Sequence, residues 1–113
     1  MIAEGEVILA PLPQADGKTK TRPVLVLRRM PPFGDLLVCG VTTQLKHVVK
    51  GFDEIIEPVN EDFAASGLKA PSLVRLGFLA VLPPDNALAR IGAVSKERHQ
   101  RLLDNLCRHL KSQ

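Results

Sequence analysis

An arginine stands at the start of one apolar run of the sequence, and two threonines end the next. Arg22 precedes Val24-Leu25-Val26-Leu27, whereas Thr42 and Thr43 follow the apolar residues 36–41. If the two runs pair as neighbouring strands, a permanent cation and a hydroxyl share one end of a sheet. Because a guanidinium fork matches phosphate oxygens, this arrangement predicts binding or cleavage of a phosphodiester.

The loops that flank these strand ends add further basic and polar side chains. Gln44 follows the two threonines, and the basic residues are Lys18, Lys20, Lys46, His47 and Lys50. Together they predict a basic track for a nucleic-acid backbone, and the histidine is also a candidate for acid–base work. Since successive strand residues point to opposite faces, only one of the two threonine hydroxyls is expected to face the phosphate.

The length and composition predict one ordinary globular domain, residues 1–113. Hydrophobic residues make up 45% of the chain, and the net charge is +3, which is compatible with nucleic-acid binding but does not require it. No apolar run approaches the ~20 residues of a membrane span, and the N-terminus does not resemble a signal peptide. We therefore expect a cytoplasmic protein that has no membrane partner.

The two cysteines, Cys39 and Cys107, match no metal or redox spacing. Free cysteine is among the most buried residue types, and one lies in an apolar strand run and the other on an apolar helix stripe. Both are predicted to be buried, reduced thiols. The sequence predicts neither a metal site nor a cofactor.

Short apolar runs separated by glycine and proline predict a mainly β protein with helices. The expected strands cover residues 6–11, 22–29, 36–43 and 52–58, with one or two more over 72–82. Between them the sequence predicts a mobile basic loop over residues 13–21, a turn over 30–34 and a break over 83–86. Such short strands favour a small barrel or curled sheet.

Two helices are expected to complete the fold. Asn60 would cap a brief helix over residues 61–66 that Gly67 stops, and Ser95 would cap a C-terminal helix. That second helix carries an apolar stripe of Leu102, Leu106 and Leu110, with Leu103 and Cys107 beside it. Its amphipathic pattern predicts that it covers the sheet, and the remaining apolar surface favours a dimer.

The ordered set of motifs resembles the MazF/PemK toxins of bacterial type II toxin–antitoxin systems. It comprises Gly5-Glu6-Val7-Ile8-Leu9, Lys20-Thr21-Arg22-Pro23, Val41-Thr42-Thr43-Gln44, Ser66-Gly67-Leu68-Lys69-Ala70-Pro71-Ser72 and Ile91-Gly92-Ala93-Val94-Ser95. The resemblance implies an SH3-like β-barrel of the MazF/PemK/CcdB type with a C-terminal amphipathic helix, usually a homodimer. It also implies metal-independent cleavage of single-stranded RNA (mRNA) and inhibition by an acidic cognate antitoxin.

The resemblance also implies roles for individual residues. Arg22 matches the catalytic arginine, which would stabilise charge on the phosphate. Thr42 matches a threonine whose hydroxyl would position the phosphate or the ribose. Arg75 matches an arginine that is followed, in some PemK-type members, by an aspartate two residues later. Here Gly77 stands in place of that aspartate and Phe78 in place of a common glutamine, which leaves the general base unassigned.

Two other functions are compatible with the same residues. A toxin-like protein without nuclease activity would bind a protein target such as gyrase, or only its antitoxin, and Gly77 favours this reading. A general nucleic-acid binding module would bind in a salt-sensitive way without cleavage. The chain has no Trp or Tyr, and Phe33 is the one aromatic expected to be exposed. Because Phe52, Phe63 and Phe78 are expected in the core or an interface, no recognition sequence is predicted.

Overall fold

The computed structural model describes residues 1–112, which form one six-stranded antiparallel sheet and two α-helices. The strands are β1 (Glu6–Pro13), β2 (Thr19–Met30), β3 (Asp35–Thr42), β4 (Glu54–Ile56), β5 (Ser72–Leu82) and β6 (Ala89–Ala93). The helices are α1 (Phe63–Ser66) and α2 (Lys96–Lys111), and short 3-10 turns cover Leu45–His47 and Pro84–Asn86. The strand order is β4-β5-β3-β2-β1-β6, with every neighbouring pair antiparallel.

The sheet buries apolar side chains on both faces. On the helix face, strand residues such as Leu25, Cys39 and Val74 pack against Leu102 and Leu106 of α2. The opposite, inner face holds a second cluster.

The buried members of this inner-face cluster include Ile8, Ala10, Val24, Val26 and Val38. No helix residue belongs to this cluster, so the curl of the sheet itself buries it. The predicted mainly β fold with a covering C-terminal helix is confirmed.

A buried ion-pair network fixes the start of α2 to the sheet. Arg98 is 6% exposed and donates to both carboxylate oxygens of Asp62 at 2.8 and 3.1 Å, and to Glu54 at 2.9 Å. Ser95 caps the helix as predicted, since its hydroxyl accepts from the Arg98 N–H. Burial would raise the pKa of the Asp62 carboxyl, but the hydrogen bonds from Arg98 and the Ser95 backbone outweigh it and lower that pKa.

Two glycines allow α1 to lie directly against β6. Gly67 ends α1 with a φ of 76°, as the sequence predicts for a helix stop, and a Cβ there would lie 1.9 Å from the Ile91 carbonyl oxygen. A Cβ on Gly92 would lie 2.2 Å from the Ser66 carbonyl carbon. This close backbone contact fixes the position of the segment that follows, residues 68–70.

Several local predictions are wrong. The basic loop over residues 13–21 is shorter, because β1 and β2 continue as a paired hairpin to Pro13 and Thr19. Asn60 does not cap α1: its side chain accepts from the Glu57 N–H, and α1 begins after Asp62.

One prediction on α2 is also wrong. Cys107, which was predicted to be buried, is exposed, and Leu110 near the end of the helix is 69% exposed. Cys39 is buried as predicted, and burial raises the pKa of its thiol. Among residues 1–112, no helix is long and apolar enough to cross a bilayer.

Candidate active site

A β-bulge in β5 brings Arg75 and Phe78 to the same face of the sheet. Gly40 of β3 pairs with Arg75, but the adjacent Cys39 pairs with Leu79, so β5 contains three extra residues at this point. In a regular strand, residues three apart point to opposite faces. The bulge changes this alternation, and both Arg75 and Phe78 line one cavity at the end of the inner face.

This cavity has a volume of about 450 Å³, within the range of ligand sites. Strands β1, β2, β3 and β5 and the segment after α1 contribute to its wall. Its lining residues are Leu12, Gln14, Arg22, Pro23, Gly40, Val41, Thr42, Thr43, Gln44, Leu68, Lys69, Ala70, Ser72, Arg75 and Phe78. The cavity therefore brings together Arg22, Thr42, Thr43, Gln44 and Arg75, which the sequence placed in one site.

Strand register explains how Arg22 and Thr42 approach each other. The ladder between β2 and β3 ends at the pair Val24 and Gly40. Because the strands are antiparallel, two residues before Val24 and two residues after Gly40 give Arg22 opposite Thr42. Both residues lie on the inner face. Arg22 is exposed, whereas Thr42 is half-buried. The arginine can thus reach a bound anion from the rim while the hydroxyl lies deeper.

The hydroxyl of Thr42 is oriented by the end of its own strand. Its Oγ1 accepts a hydrogen bond from the Gln44 N–H at 3.1 Å. The hydroxyl proton therefore remains available to donate to a ligand oxygen. Because β3 ends at Thr42 and the chain bends at Thr43, both threonines line the cavity. Whether only one of the two hydroxyls faces a bound phosphate, as strand alternation predicts, stays a prediction.

The Asp53 carboxylate bonds to the backbone of the bulge in β5. The Leu76 N–H donates to Asp53 Oδ1 at 3.0 Å, and the Val49 N–H donates to Oδ2 at 2.9 Å. Leu76 lies within the bulge, where the ladder to β3 is interrupted. The carboxylate thus satisfies a backbone donor next to Arg75 and links it to the loop before β4.

The charges of the cavity have one sign. Its lining includes the cations Arg22, Lys69 and Arg75 and contains no carboxylate and no imidazole. Arg75 is half-buried, so its charge is less screened by water than that of the two exposed cations. Within residues 1–112, no group of three His, Cys, Asp or Glu side chains is placed to hold a metal ion. The arrangement is suited to binding a phosphate group.

The remaining predicted substrate contacts lie outside the cavity lining. Lys20 pairs with Leu12 and precedes Arg22 by two residues, so it lies on the same strand face, farther out. Lys18 is exposed in the β1–β2 hairpin, and Lys46 and His47 are exposed in the 3-10 turn after Gln44. Their contact with a substrate stays a prediction.

Among the lining residues that the sequence interpretation did not assign to the site are one cation, Lys69, and one aromatic residue, Phe78. Lys69 lies inside the Ser66–Ser72 motif, where a single cation follows a helix stop, and this signal was present in the sequence. Phe78 was expected in the core or an interface. It does pack against the inner cluster, yet it also lines the cavity. Phe33, in contrast, is 82% exposed, as predicted.

Comparison with known proteins places this site in a family. The family described as PemK-like, MazF-like toxin of type II toxin-antitoxin system matches residues 3–110. Among solved structures, the Mycobacterium tuberculosis toxin MazF-mt6 has a similar fold, with a TM-score of 0.67 and 23% identity, covering 96% of this chain and 98% of that chain. No curated protein sequence matches. Since the family match covers nearly the whole chain, the protein belongs to the PemK-like, MazF-like toxins of type II toxin–antitoxin systems.

Proposed function

We propose that this toxin is an endoribonuclease that cleaves single-stranded RNA without a metal ion. The observation that supports this function is the cavity that two arginines, one lysine and Thr42 line together. The nucleophile is the ribose 2′-hydroxyl of the substrate. Its oxygen bonds to the adjacent phosphorus, the bond from phosphorus to the 5′-oxygen breaks, and a 2′,3′-cyclic phosphate forms. Solvent takes the 2′-hydroxyl proton and returns one to the 5′-oxygen.

The cations act mainly by stabilising the charge that develops in the transition state. Arg22 donates from the rim to the non-bridging oxygens, and half-buried Arg75 supplies a second positive charge. Thr42 donates its hydroxyl proton and holds the phosphate in place. Arginine keeps its proton under ordinary conditions, so neither arginine is assigned the role of general base.

The polar residues around the cavity bind the rest of the RNA. Thr43 and Gln44 contact the nucleotides next to the cleaved bond. Lys18, Lys20, Lys46 and His47 form the basic track for the flanking phosphates. Removing one such lysine would weaken binding of all RNA sequences alike. It would also lower the slope of log affinity against log salt concentration by about one.

In the cell, cleavage of mRNA in the cytoplasm would inhibit translation and growth. A cognate antitoxin with acidic residues would cover the positively charged cavity. The active form would be a homodimer, which the exposed apolar residues of β5 support, since Leu79 is 39% and Val81 57% exposed. Sedimentation that shows only monomer at micromolar concentration would contradict the dimer.

The test is incubation of the purified protein with mixed single-stranded RNA in EDTA. Wild type should cleave the RNA, and Arg22→Ala should lower kcat by a factor of about 10²–10³, as expected when one main donor to the transition state is lost. The matched control is Arg108→Ala, which removes an exposed arginine on α2 far along the chain from the cavity residues. A substrate with 2′-deoxyribose at the cleaved position should resist cleavage.

The competing function is a toxin-like protein that binds a protein target without cleaving RNA. The specific observation in its favour is the absence of a carboxylate or imidazole among the cavity residues. No cleavage by wild type in EDTA, together with harmless overexpression in bacteria, would refute the nuclease and favour this function.

A further inference from the structure

We propose that Phe78 is a stacking platform for one base of the RNA, beside the phosphate that is cleaved. This inference rests on the proposed nuclease function and adds a base-binding subsite to it. Stacking on an aromatic ring is the common way in which proteins hold unpaired bases, and the chain contains neither Trp nor Tyr to do so.

The position of Phe78 in the bulge supports this role. The three extra residues of β5 end with Phe78, which therefore lies on the inner face with Arg75. The two side chains line the same cavity, so a base on the ring is adjacent to a phosphate on the arginine. The exposed Gly77 between them carries no side chain that would compete for this space.

The packing of Phe78 makes it a fixed surface. A Cβ on Gly40 would lie 3.4 Å from Phe78 Cγ and 3.5 Å from Cδ2, so the ring packs against the bare backbone of β3. The side chain is half-buried, and its exposed part lines the cavity beside apolar Leu12. An aromatic surface held on one side and open on the other is suited to a flat base, and its conformation is set before binding.

The absence of Trp and Tyr provides a direct test. A Phe78→Trp variant contains a single indole, whose fluorescence reports stacking of a base. The probe is a single-stranded DNA oligonucleotide, which lacks the 2′-hydroxyl and is not cleaved. Its binding is followed in parallel by the anisotropy of a terminal dye. The matched control is Phe33→Trp. Phe33 is exposed and lies in the turn after the C-terminal end of β2, whereas Arg22 lies near the N-terminal end of that strand.

We expect saturable quenching in Phe78→Trp and none in Phe33→Trp. We also expect Phe78→Leu to raise Kd about tenfold, as loss of one stacked base does. An abasic site at one nucleotide should then weaken oligonucleotide binding by wild type but not by Phe78→Leu. The position of that abasic site identifies the stacked base.

Other results would overturn the inference. Anisotropy that shows binding without quenching, with an unchanged Kd for Phe78→Leu, would refute stacking while leaving the nuclease intact. If wild type neither binds the oligonucleotide nor cleaves RNA, both proposals fail. If Phe78→Leu binds nucleic acid normally but no longer binds the antitoxin, the ring holds a protein side chain instead.

Discussion

Removal of the Asp53 carboxylate would test whether the bulge of β5 assembles the site. In Asp53→Ala, the Leu76 N–H loses its acceptor at 3.0 Å and the Val49 N–H loses its acceptor at 2.9 Å. Leu76 is fully buried, so no water can replace the lost bond, whereas Val49 is exposed. An orphaned buried donor costs about 1–3 kcal/mol, and the loss at an exposed donor is smaller.

We therefore expect Asp53→Ala to lose about 3 kcal/mol of unfolding free energy. For a domain of this size that corresponds to a fall in Tm of roughly 10–15 °C. Asp53→Asn retains one acceptor oxygen for Leu76 and should lose only about 1 kcal/mol. Thermal unfolding by circular dichroism measures both variants, with the exposed Asp85→Ala as a charge-matched control.

The same variants separate stability from positioning. At a temperature where all are folded, Asp53→Ala should lower kcat/KM for RNA more than Asp53→Asn, because Arg75 and Phe78 then no longer share one face. If Asp53→Ala melts within about 2 °C of wild type and cleaves equally well, Asp53 does not hold the bulge and the reasoning is wrong.

Three further predictions test other parts of the fold. The pKa of Asp62 is lowered in the folded state, so its contribution to stability is present above pH ~4 and is lost as the pH falls below that value. In chemical denaturation, Asp62→Asn should therefore lose less unfolding free energy than wild type over the same fall in pH. Gly92→Ala places a Cβ against the Ser66 backbone and should cost at least 1–3 kcal/mol in thermal unfolding, whereas Gly77→Ala should be neutral. A thiol reagent should label exposed Cys107 in the native protein and buried Cys39 only after unfolding, as mass spectrometry of the labelled peptides would show.

The sequence predicted those parts of the fold that depend on local pattern. The apolar runs identified most strands, and Ser95 and Gly67 marked helix ends because capping and left-handed stops are properties of a few consecutive residues. The pairing of β2 with β3, and with it the approach of Arg22 to Thr42, followed from two adjacent apolar runs separated by a turn.

The remaining features depend on contacts between distant residues. At the bulge that turns Phe78 into the cavity, Asp53, 23 positions before Leu76, accepts the backbone bond that β3 does not. The exposure of Cys107 depends on how much of the apolar stripe of α2 the sheet covers, and amphipathic periodicity carries no information about that extent. Asn60 was a plausible cap by type, but it bonds backward to Glu57 instead.

The two departures from the family pattern in β5 belong to one structural feature. Gly77 and Phe78 are both extra residues of the bulge, and the cavity is lined by the second but not by the first. Where some relatives have a carboxylate, this chain has an exposed glycine, and where a glutamine is common it has an aromatic ring. The exchange removes a candidate proton acceptor and adds an apolar surface beside Arg75. In the proposed nuclease, substrate positioning and charge stabilisation would therefore provide a larger share of the rate enhancement than proton abstraction by a side chain.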